Sequence, residues 1–121
     1  MYRPRVLIIE ADRRTVDELQ ERFERHGIEA EVALNVAVGL TILAERRMDA
    51  AVIDAQFEVM NEWTLLQRVK EVDPNVPVVM INGDKSKGIS KVARRAGVTR
   101  FLSSPVDPEK VILALSDVIR N

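Results

Sequence analysis

Hydrophobic and polar positions follow two rhythms along the chain. Residues 6–9, 50–54 and 76–81 are short runs of small and apolar side chains, the pattern of strands buried on both faces. Residues 28–33 alternate apolar and acidic side chains, which predicts a strand with one exposed face near a sheet edge. Residues 98–103 give a short fifth strand. Between these runs, apolar residues recur three and four apart among charged ones, as in amphipathic helices. Val16, Leu19, Phe23 and His26 predict one such stripe; Leu40, Leu43 and Ala44 predict a second, with Val38 and Ile42 off it. Trp63, Leu66, Val69 and Lys70 outline a third helix, flanked by Leu65 and Val72. A weak helix is predicted over 86–96, and Val111, Leu115 and Val118, beside Ile112 and Ile119, give the last one its apolar face.

The punctuation agrees with this reading. Asp12, Asn35 and Asp107 are suited to cap helices, and Pro108 fits a first helical position. The second helix is predicted to run from Asn35 to about Arg47. Gly27 fits the left-handed residue that ends the first helix, with His26 in the last turn at the negative end of the dipole. Asp73-Pro74 breaks the third helix, and Asn82-Gly83-Asp84 reads as a turn. Five strands alternating with five helices imply an α/β protein of the flavodoxin-like (βα)5 kind. Its doubly wound, five-stranded parallel sheet would have the order 2-1-3-4-5, in one domain over residues 1–121.

Composition narrows the chemistry. The 121 residues include 46% hydrophobic ones, enough for a core, and no cysteine, which excludes disulfides and thiolate chemistry. With His26 as the one histidine, a His-rich metal site is excluded. No apolar run is long enough to span a membrane, and Met1 to Arg5 hold no apolar signal core, so a cytoplasmic location is expected. The net charge of −1 argues against a general nucleic-acid binder.

Two strands close on acids: residues 6–9 on Glu10, and the Ala50–Ile53 run on Asp54. In the order 2-1-3-4-5 the first and third strands flank the switch point, where open α/β sheets bind ligands. Asn82 ends the fourth strand, Ser104 follows the fifth, and Asp12 lies near the mouth. Together with Glu10 and Asp54 they would ring one shallow pocket. No Gly-rich loop follows the first strand and no nucleophile–base pair is present, so no enzyme is expected.

At these residues the chain resembles the receiver domain of two-component response regulators, over essentially its whole length. The resemblance is carried by Val-Leu-Ile-Ile-Glu-Ala-Asp at 6–12, by Asp54 with Met60 six residues on, by Asn82-Gly83 after the fourth strand, and by residues 96–105. It implies a phosphoryl group on Asp54. It also implies magnesium held by that aspartate, by an acid at position 11 and by the Gln56 carbonyl. A lysine at 104 and a hydroxyl at 82 would contact the phosphoryl oxygens, and Phe101 matches an aromatic switch position. The Ser104–Pro105 bond is implied to be cis.

The chain departs at most of these places, with Ala11, Asn82 and Ser104 where the acid, the hydroxyl and the lysine belong. Each unit charge missing at ~4 Å forfeits about 4 kcal/mol at an effective dielectric near 20. A degenerate receiver is therefore expected, with no cofactor and no magnesium; a cation, if held, would use Asp54 with Glu10 or Asp12 and the Gln56 carbonyl. Two readings stay open: a phosphorylation-independent interaction module, or a phosphorylatable receiver accepting its group from a histidine kinase.

The partner surface implied by the resemblance includes Lys87, Lys91, Arg94, Arg95 and Arg100, a basic cluster that reads either as a solvated face or as a dock. The partners implied are a histidine kinase, an output domain, another receiver or a second copy of the chain. Neither a membrane nor nucleic acid is expected for this domain alone.

Overall fold

The computed structural model describes residues 2–54, 62–83, 100–103 and 105–119. In chain order the elements are β1 (Arg5–Ile9), α1 (Arg13–Arg25), β2 (Glu29–Ala33), α2 (Val36–Glu45), β3 (Ala50–Asp54), α3 (Glu62–Val72), β4 (Val78–Gly83), β5 (Arg100–Ser103) and α4 (Pro108–Ile119). The strands form one parallel sheet in the order β2-β1-β3-β4-β5, as the apolar runs predicted. The expected helix over 86–96, the loop at 55–61 and the Ser104–Pro105 bond lie outside the described residues.

Because side chains alternate along a strand, the central strands feed two cores. Leu7, Ile9, Ala51, Ile53, Val78 and Met80 meet residues of α2 and α3 on one face. Val6, Ile8, Ala50, Val52, Val79 and Ile81 meet α1 and α4 on the other. Strand β2 is an edge, as its acidic alternation predicted, and Glu29 and Glu31 on it pair with Arg5 and Arg46. No helix among the described residues is long and apolar enough to cross a membrane.

The caps are where the sequence put them. Asp12 accepts the Arg14 N–H at 3.1 Å, Asn35 the Val38 N–H at 2.9 Å and Asp107 the Glu109 N–H at 3.0 Å. Gly27 adopts φ 70°, the left-handed conformation that suits glycine after a helix. Helix α1 ends at Arg25, so His26 is the residue after its last turn, not part of it, and its side chain is exposed. Its Nε2 lies 3.6 Å from Glu109, which also accepts from Arg22 at 2.7 Å and so ties α1 to the start of α4.

Four details differ from the expected pattern. The inner face of α2 is Val36, Gly39 and Leu43, with Leu40 and Ile42 packed on the core beside it, while Ala44 is exposed. Val38 is 45% exposed, as an off-stripe residue should be. Leu65 is fully buried, not flanking, and shares the α3 face with Leu66 and Val69. Strand β4 starts at Val78, two residues later than expected. Pro77 has no N–H to give, although its carbonyl accepts the Ala51 N–H at 2.9 Å. Asn82 and Gly83 belong to this strand and not to a turn, at a register shift between Ile81 and Gly83.

Gly39 explains how closely α2 approaches the sheet. A Cβ there would lie 2.5 Å from Ile9 Cδ1 and 2.8 Å from Ile9 Cγ1. Alanine is the better helix former by about 1 kcal/mol, but overpacking costs about 1–3 kcal/mol. Gly39→Ala is therefore expected to lower the urea midpoint, and adding Ile9→Val, which removes Cδ1, to restore part of it.

Candidate functional site

The site is built where β1 and β3 end, with Glu10 one residue past β1 and Asp54 the last residue of β3. Their last registered pair is Ile9↔Ile53, so Glu10 and Asp54 come next on adjacent strands. By alternation they fall on the same sheet face as Ile8 and Val52, under α1 and α4. They are the two buried charged side chains among the described residues, Glu10 1% and Asp54 7% exposed.

Glu10 is held by two hydrogen bonds. Its N–H donates to the Ala33 carbonyl of β2 at 3.0 Å. Its Oε2 accepts the Asp12 N–H at 3.1 Å. Its Oε1 is buried without a hydrogen-bond donor. Burial, then the neighbouring Asp54 carboxyl, push the Glu10 carboxyl up to about 8, with the Asp12 N–H partly opposing and the charges of Asp54 and Asp12 adding to the rise. At neutral pH Glu10 is thus chiefly a neutral acid.

Asp12 touches Glu10 through its backbone N–H, and its carboxylate serves the helix instead. Its two carboxylate oxygens accept from the Arg14 N–H and the Thr15 hydroxyl, each at 3.1 Å, and the residue is exposed. It remains at the mouth, as expected, but serves as the helix cap. Ala11, between the two acids, is exposed. Among the described residues no three His, Cys, Asp or Glu side chains gather to hold a metal ion.

The remaining candidates are placed unevenly. Phe101 is half-buried on β5, beside Met80 in register, and packs on the core under α2 and α3. Arg100 is exposed and its Nη2 lies 3.5 Å from Asp117 of α4. Asn82 is in β4 at the register shift, and its side chain is outside the description. Gln56, Ser104, Lys87, Lys91, Arg94 and Arg95 lie outside the described residues.

Size does not identify this site. A hollow of ≈ 820 Å³ lies at the opposite end of the sheet, where Tyr2, Asp49 and Pro77 precede their strands. The convergent buried acids, not open volume, distinguish this end of the sheet.

Comparison with known proteins agrees with this geometry. Residues 6–116 match the response regulator receiver domain family. The photosynthetic apparatus regulatory protein RegA of Rhodovulum sulfidophilum is 29% identical over 112 residues, covering 93% of this chain and 61% of its own. The transcriptional regulatory protein GlrR of Escherichia coli is 25% identical over 114 residues, covering 94% of this chain and 26% of its own. The chain therefore spans less than two thirds of the length of these curated relatives. Among solved structures, a CheY-like receiver domain protein of Methanospirillum hungatei superposes with a TM-score of 0.88 at 23% identity, covering 98% of this chain and 94% of its own.

Proposed function

The chain belongs to the response regulator receiver family, and from that membership we propose that it acts in two-component signalling as a phosphorylation-independent protein-interaction module. The observation that carries the proposal is the burial of Glu10 beside Asp54. A phosphoryl group on Asp54 would bring about two negative charges to that place. Phosphoryl transfer is mostly positioning and charge stabilisation, supplied by cations, and the sequence has Ala11, Asn82 and Ser104 where a receiver's acid, hydroxyl and lysine belong. The partners consistent with this reading are a histidine kinase, an output domain, another receiver or a second copy of the chain. A cytoplasmic location and the absence of catalysis go with it.

The competing reading, a phosphorylatable receiver, draws on one observation: Asp54 itself is retained at the end of β3, at the switch point. Incubation with magnesium and acetyl phosphate, followed by intact mass measurement, separates the two. No phosphoryl adduct is expected. An adduct on the unaltered chain that is lost in Asp54→Asn would establish the competing reading.

A further inference from the structure

A magnesium ion needs near-octahedral oxygen ligands, commonly one or two carboxylates with several retained waters. Four positions stand where acids would serve such an ion, and all four are described. Position 11 is an exposed alanine. Both Asp12 oxygens are oriented toward the start of α1, where each accepts a hydrogen bond, from Arg14 and from Thr15. That leaves Glu10 and Asp54, whose 1% and 7% exposure leaves little room for the retained waters. Among the described residues, the acids do not fit the ion.

Two acids facing each other on adjacent strands must nevertheless be accommodated, because like charges placed opposite each other destabilise a sheet. Glu10 Oε1 is buried with no donor, and a bare carboxylate oxygen in that position is costly. Its neighbour across the strand pair is Asp54, the residue that follows the Ile9↔Ile53 partners and is buried with it. We propose that the site is closed to divalent cations and that Glu10 and Asp54 meet directly, through one carboxyl hydrogen bond in the place a cation would take. Glu10 is then a positioning residue that keeps Asp54 a structural acceptor. The inference deepens the proposed function and rests on its reading of Asp54 as unphosphorylated.

Two measurements on the full chain test it. The first is calorimetric titration with Mn²⁺ and Mg²⁺ at neutral pH. The unaltered chain is expected to show no saturation across the millimolar range, and Ala11→Asp, which adds the missing acid, to bind at least about tenfold more tightly. Saturable binding by the unaltered chain that is lost in Asp54→Asn overturns the inference, as does an Ala11→Asp variant that folds and gains nothing. The second is a double-mutant cycle in unfolding stability with Glu10→Ala, Asp54→Ala and the pair, each change removing the whole hydrogen-bonding group. Non-additivity supports direct contact, and additivity overturns it. Divalent binding without a phosphoryl adduct removes this inference alone, whereas an adduct on Asp54 removes the reading beneath it.

Discussion

Replacing Glu10 with glutamine is expected to flatten the stability of the protein against pH and to make the variant the more stable form in mild alkali. Burial, then the Asp54 carboxyl, raise the Glu10 carboxyl from 4.5 to about 8. Below the lower value the folded and unfolded chains both hold the proton, and the stabilising contribution is complete. Between the two values only the folded chain holds it. Stability therefore falls as pH rises, by up to about 1.4 kcal/mol per pH unit. Above the upper value the loss is complete, with a ceiling on the order of 5 kcal/mol. Glutamine has nearly the same shape and nothing to ionise. Its amide oxygen still accepts the Asp12 N–H, and its amide nitrogen donates toward Asp54. Urea unfolding across that pH window should give a sloping profile for the unaltered chain and a nearly level one for Glu10→Gln. Parallel profiles would show that Glu10 is not the group that titrates.

This sensitivity was only half visible in the sequence. That β1 closes on an acid was plain, and the order β2-β1-β3-β4-β5 followed from apolar runs alternating with helical stretches. What the pattern could not supply was depth. An acid after an apolar run can lie at the solvent edge or one residue inside it, and periodicity does not distinguish the two. Glu10 is inside because its N–H continues the pairing with β2 at Ala33. Register would have signalled it, since an apolar run of equal length ends on Asp54 in the neighbouring strand.

The same limit explains α2 and β4. A hydrophobic count gives glycine no weight, yet Gly39 is central to the α2 interface because the helix lies too near Ile9 for any side chain. A run of apolar residues gives Val76 the weight of a strand residue, yet ladder pairing starts only past Pro77. Asp12 was legible as a cap from its place before a helix, and the structure adds that its backbone N–H, and not its carboxylate, serves Glu10.

The last expected effect concerns what keeps α1, and with it that N–H, in place. Phe23 is fully buried and is among the largest such side chains. It packs with Leu19, Ile28, Val111, Ile112 and Leu115 in the core between α1, α4 and the sheet, and its carbonyl accepts the Ile28 N–H at 2.9 Å. Phe23→Ala is expected to cost about 3–5 kcal/mol through lost burial and the cavity left behind. That is a large share of the roughly 5–15 kcal/mol that holds a domain folded. Phe23→Leu, which keeps most of the volume, is expected to cost about 1.5 kcal/mol or less. Leu113→Ala on the outer face of α4, where the leucine is 66% exposed, should stay within about 0.5 kcal/mol. Urea unfolding ranks the three. Loss of Phe23 should also speed amide exchange at Asp12, because the helix that Asp12 caps would be less firmly seated and the bond to Glu10 less often closed. A Phe23→Ala protein as stable as Leu113→Ala would mean that α1 is not held by this core, and that the buried acid pair owes its geometry to the sheet alone.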